Sequence, residues 1–135
     1  ALHRAIERGE LVLHYQPKVD VSSARMVGVE ALMRWRRGER MVPPLEFIPL
    51  AEETGLIVPM SEWLVREAAR QAGVWHRRGI ETSIAVNLPG LVFERCDVAA
   101  LILEATAEHG IAHRTIEVEI TERTLMKRLK DSQML

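Results

Sequence analysis

The feature that most constrains this chain is the spacing of its β-rich runs. Residues 11–16 (LVLHYQ) and 26–33 (MVGVEALM) read as two strands separated by fewer than a dozen residues, and that gap carries the turn formers Asp20, Ser22 and Ser23. A parallel crossover needs a dozen or more residues, so these two strands are expected to pair antiparallel. Everything after them alternates differently. A polar, proline-flanked loop (36–44) leads to a helix over 45–54, closed by Gly55 as a C-cap. Pro59 and Ser61 open a second helix that runs to residue 78, with Leu64, Ala68, Ala72 and Trp75 on one face and Gly79 at its end. A third strand (82–87, TSIAVN), a largely helical stretch (91–109), a fourth strand (115–121, TIEVEIT) and a helical tail (122–135) complete the pattern, after a short helix over 2–9 at the start. A hairpin followed by alternating helix and strand is an α/β arrangement.

Such a chain builds either an open doubly wound sheet or part of a barrel. A full (β/α)8 barrel takes about 250 residues, and the chain has 135. Four strands of a barrel would leave two unpaired edges, a route to self-association. The chain is long enough to bury a core without disulfides or a structural metal. Its net charge of −1 argues against a general nucleic-acid binder. The single cysteine, Cys96, excludes a disulfide framework and a Cys-rich zinc site within one copy, and is compatible with the reducing cytoplasm expected for it. No apolar run approaches the roughly 18 residues of a membrane span.

The chemistry-bearing residues are acids and amides in strands otherwise built for burial. Glu30 follows MVGV, Asn87 follows IAV, and Glu119 lies inside TIEVEIT. Buried carboxylates are costly unless paired or bound to a metal, and polar groups at the C-terminal ends of barrel strands are where chemistry is usually done. Two carboxylates and one amide oxygen form a hard donor set suited to Mg²⁺ or Mn²⁺ rather than zinc. Residue spacing alone equally allows Glu30 and Glu119 to be ion-pair partners and Asn87 to satisfy a strand end. The five histidines show no ligand spacing; Cys96, Trp63 and Trp75 read as packing residues.

Five motifs, in order and spacing, then carry a resemblance. YQPKVD (15–20), VEALMRW (29–35), FIPLAEETGLI (47–57), VNL (86–88) and EITE (119–122) resemble the EAL domain family over essentially the whole chain. The resemblance implies a modified TIM (β/α) barrel with an antiparallel first strand, of which residues 1–135 are about the first half. It implies a Mg²⁺- or Mn²⁺-dependent phosphodiesterase that opens cyclic di-GMP to linear pGpG, two cations holding the phosphate and activating a water. By position, Glu30, Asn87 and Glu119 resemble the metal ligands. Gln16 and Arg34 resemble residues that contact the dinucleotide, and Leu32 is expected beside the ligand or in the core. Glu52 is expected to support the site from the helix beneath it, and Glu122 either to do the same or to serve as a helix N-terminal charge. Pro89 departs from the serine common in the family and removes a backbone donor near the site.

The resemblance also says what is missing. The family completes its metal cluster with adjacent aspartates in a DDFG-like loop and assists the water with a later lysine and glutamate. Here the aspartates are Asp20, Asp97 and Asp131, with no adjacent pair. The chain alone is therefore expected to show negligible turnover, with the general base beyond its end. Two alternatives to an enzyme are a module that binds cyclic di-GMP without hydrolysis and a scaffold that pairs through its open edges. EAL domains commonly sit behind sensor or GGDEF domains, so a larger parent is expected.

Overall fold

The computed structural model describes residues 2–120 and 129. A 3₁₀ turn (Leu2–Arg4) leads into the hairpin of β1 (Leu11–Val19) and β2 (Met26–Arg37), followed by a short β3 (Arg40–Val42). Helices α1 (Pro44–Thr54) and α2 (Ile57–Arg77) precede β4 (Ile84–Asn87). Then come α3 (Gly90–Arg95), α4 (Val98–Glu108), a second 3₁₀ turn (His113–Thr115) and β5 (Ile116–Glu119). The sheet has the order β1-β2-β4-β5, with β3 beside β2. β1 and β2 are antiparallel, whereas β2–β4 and β4–β5 are parallel, as the length of the connections requires.

The departures from the sequence expectations have local causes. β1 does not stop at Pro17 but runs through it to Val19; among the described residues it is an edge strand with one neighbour, where a missing N–H is tolerated. β2 extends past Met33 because β3, inside the segment read as loop, pairs with residues 35–37. α2 opens at Ile57 and takes Pro59 into its first turn, where an N–H would lack a helical partner anyway. The stretch read as one helix breaks at Cys96 and Asp97, and the Asp97 carboxylate caps α4 by accepting the Ala100 N–H at 3.0 Å. Residues 2–9 form only the 3₁₀ turn and further turns. The helical tail, position 129 excepted, lies outside the described residues. Gly55, in the left-handed region at φ 81°, closes α1 as expected.

The sheet has one dry face and one polar face. On the dry face Val29, Ala31, Ile84, Val86 and Ile116 pack against Leu64, Val65, Ala68, Ala69 and Ala72 of α2 and Leu101 and Ala105 of α4. A second cluster closes the far end of the hairpin, where Met33 and Trp35 meet Phe47, Ile57 and Met60. There the Trp35 and Phe47 rings meet edge to face, 6.2 Å apart. Trp63 and Trp75 are partly buried against this core rather than within it.

Gly28 sits where β2 meets the chain entering β4, and Val29 donates to the Ser83 carbonyl at 2.9 Å. A Cβ at Gly28 would lie 2.7 Å from Ser83 Oγ and 3.2 Å from its carbonyl oxygen. Gly28→Ala is expected to destabilise the chain by about 1–3 kcal/mol in chemical denaturation, the usual cost of overpacking. Tyr15 points to the dry face, edge-on to Trp75 at 5.1 Å, and its hydroxyl has no hydrogen-bond partner among the described residues. Burial, aided by Glu67, pushes its phenol well above the ordinary 10.0. The folded state therefore holds the phenolic proton more tightly than the unfolded state. This contribution to stability is complete below pH 10 and declines as pH rises beyond it. Tyr15→Phe should leave stability at pH 7 within about 1 kcal/mol of the parent and lessen the alkaline loss. Because Tyr15 is the single tyrosine, phenolate absorbance during pH titration reads it directly.

Candidate functional site

Strand periodicity decides which side chains share the polar face. Gln16 pairs in register with Glu30, His14 with Leu32 and Val12 with Arg34, so these residues alternate with the dry-face set. Across the parallel strands Glu30 aligns with Ala85, and Asn87 aligns with Glu119. The face thus gathers Gln16 and Lys18 from β1, Glu30, Leu32 and Arg34 from β2, Asn87 from β4, and Glu117 and Glu119 from β5. Glu30, expected near the end of its strand, lies in the middle of β2. It falls in the part of β2 that pairs with β4, residues 29–31.

Asn87 donates its side-chain N–H to Glu30 Oε1 at 2.8 Å, which leaves Asn87 Oδ1 outside that bond. Glu119 is held by Lys18, whose Nζ donates to its Oε1 at 2.7 Å across 101 residues of chain. The hydrogen bond to Glu119, reinforced by the charges of Glu119, Glu117 and Glu30, raises the Lys18 pKa and keeps it cationic. Sequence reasoning missed Lys18. Period-2 alternation put it on the same face as Gln16, but nothing in the sequence joined it to Glu119. Among the described residues no three His, Cys, Asp or Glu side chains converge on one point. Asn87 lies in register with Glu119 and hydrogen-bonds Glu30, so the constellation is two carboxylates and an amide, whose oxygens suit a hard divalent cation.

A cleft of about 270 Å³ adjoins this set. Leu32, Arg34, Asn87 and Pro89 line it from the sheet side, and Glu52 of α1 and Ser61 of α2 line it from the helices. Glu52 and Leu32 are thus placed together with Arg34, and Gln16 lies beside Glu30. Arg34 Nη1 donates to the Met33 carbonyl at 3.0 Å. Pro89 precedes the first turn of α3, where its carbonyl accepts the Val92 N–H at 3.1 Å. Glu122 lies outside the described residues. None of the described helices is long and apolar enough to cross a membrane.

A mostly parallel sheet with an antiparallel first strand, helices on one face and acids on the other is the first half of a barrel of the EAL type. The EAL domain pattern matches residues 1–134, and the chain belongs to that family. It is 42% identical over 128 residues to the bifunctional diguanylate cyclase/cyclic di-GMP phosphodiesterase MucR of Pseudomonas aeruginosa, covering 93% of this chain and 19% of that protein. It is 36% identical over 127 residues to the cyclic di-GMP phosphodiesterase PdeR of Escherichia coli, again covering 93% and 19%. Among solved structures, the PaMucR phosphodiesterase in complex with c-di-GMP superposes with a TM-score of 0.89 at 41% identity, over 97% of this chain and 54% of that one. The FimX EAL domain of Xanthomonas citri, also with c-di-GMP, gives 0.86 at 26% identity, over 98% and 51%. The chain therefore spans about half of the matched domains and about a fifth of the full relatives.

Asn87→Asp replaces the donor with a second carboxylate facing Glu30. It should lower the thermal midpoint at neutral pH, and the deficit should shrink as pH falls through the carboxylate range. Thermal unfolding at several pH values checks this.

Proposed function

We propose that this chain supplies the N-terminal half of a domain that hydrolyses cyclic di-GMP to linear pGpG with the aid of Mg²⁺ or Mn²⁺. The observation that carries the reading is the meeting of Glu30 with Asn87, with Glu119 next in register, beside a cleft that contains Arg34. Glu30, Asn87 Oδ1 and Glu119 would hold the cation, which when bound would supply charge for a phosphate oxygen and lower the pKa of a water. Gln16 and Arg34 contact the dinucleotide in this proposal, the guanidinium through paired charge-assisted hydrogen bonds to phosphate. Leu32 packs against it, and Glu52 supports the site from α1. The MucR and FimX complexes with c-di-GMP, and the phosphodiesterase names of MucR and PdeR, support this choice of ligand and reaction. The greater length of those relatives supports a parent with further domains, such as a sensor or GGDEF domain. Among the described residues β1 and β5 each have one strand neighbour, and their other edges are where the rest of the barrel would add, or where isolated chains would pair with each other.

The sequence holds no adjacent pair of aspartates of the kind that completes the metal cluster in the EAL family, and Mg²⁺ held by three protein oxygens would keep waters in its remaining positions. The chain alone, incubated with cyclic di-GMP and Mn²⁺, should therefore yield no steady pGpG by chromatography. Steady product that Glu30→Ala abolishes would overturn that expectation. The ligand assignment is tested by calorimetric titration with cyclic di-GMP, in which Arg34→Ala should weaken binding at least about tenfold, the scale of a hydrogen bond to a charged group. An unchanged affinity would remove Arg34 from the site.

A further inference from the structure

Lys18 lies on the polar face, and the proposed function does not use it. Its amine leans over β2 and β4 to reach Glu119 on β5, so it crosses the ground on which the proposed cation would sit. Glu30 and Glu117 also act on it electrostatically. Opposite Lys18 in register stands Gly28, which offers no side chain to compete for that space. The two partners are 40% and 38% exposed, so the pair is open enough to exchange with solute ions. Without Lys18, Glu119, Glu117 and Glu30 would present three carboxylates on one face with no facing cation from β1.

We infer that Lys18 is an internal counter-ion that occupies Glu119 when no divalent cation is bound, and that a divalent cation competes with its ammonium for that carboxylate. The inference rests on the proposed metal role of Glu30, Asn87 and Glu119. Lys18 is a positioning residue in this scheme: it weakens the site for divalent ions and keeps its acids paired in their absence. Glu119 Oε1 already accepts from the ammonium, and a cation drawn to that oxygen competes with it, so removal of the lysine should tighten metal binding. Exposed ion pairs are modest interactions, which limits the gain to about two- to fivefold in Kd.

The test is a Mn²⁺ titration of the full 135-residue chain, with free Mn²⁺ followed by electron paramagnetic resonance, on the parent, Lys18→Gln and Glu30→Gln. Circular dichroism verifies that each variant is folded. A second readout measures acetylation of Lys18 by an amine-reactive reagent, using mass spectrometry, with and without Mn²⁺. The expected result is a two- to fivefold lower Kd in Lys18→Gln, loss of binding in Glu30→Gln, and faster acetylation of Lys18 once Mn²⁺ is added. Binding that needs Glu30 but is unchanged or weaker in Lys18→Gln would overturn the inference and leave the metal reading standing. So would tighter binding without any change in Lys18 acetylation, because that is a general charge effect and not displacement. No Mn²⁺ binding by any of the three proteins would overturn both.

Discussion

The register of the β1–β2 hairpin is the constraint on which the rest depends. Side chains alternate across a strand, so a slip of one residue would send Glu30, Leu32 and Arg34 into the apolar core and Val29, Ala31 and Met33 into water. Two local devices oppose such a slip. At the turn, Asp20 accepts from the backbone and hydroxyl of Ser22 and from the hydroxyl of Ser23, while Ala24 N–H donates back to the Asp20 carbonyl at 2.7 Å. Within β2, Gly28 admits Ser83 so closely that no other residue fits there without movement. With the register fixed, Gln16 lies opposite Glu30, and the placement of the acids follows.

The dry face supplies the complementary force. α2 presents Ala68, Ala69 and Ala72 to the sheet and, near its end, Gly73 to His109 just beyond α4. Small residues let the helix come close, so the short, apolar β4 is covered along its length. The end of β4 is thereby fixed, and Asn87 is delivered to the polar face beside Glu30. The acids of the polar face are paired: Glu30 with the Asn87 amide, Glu119 with the Lys18 amine. The pairing by ions and the metal-binding reading, which looked like alternatives in the sequence, are therefore compatible. Groups that hold one another when no cation is present can also be the groups that hold one.

Much of this was legible in the residues. Short spacing dictated the hairpin, Gly55 marked the end of α1, and the YQPKVD, VEALMRW, FIPLAEETGLI, VNL and EITE motifs pointed to the EAL family, to which the chain belongs. The misreadings came from tertiary pairing overriding local signals. Pro17 looked like a terminator but is accepted on an edge strand, the loop after Arg37 hides β3, and Asp97 read as a helix-interior residue but is a cap.

By itself, then, the sequence determined the family, the alternation of strands and helices, and which residue types are available for a hard cation and a phosphate, because these depend on near-neighbour spacing along the chain. Only the tertiary structure decided who meets whom. Asn87 reaches Glu30 across 57 residues and Lys18 reaches Glu119 across 101. Contacts at that separation are set by strand order and register, which arise from burying one face of the sheet and have no signature in any local stretch of residues.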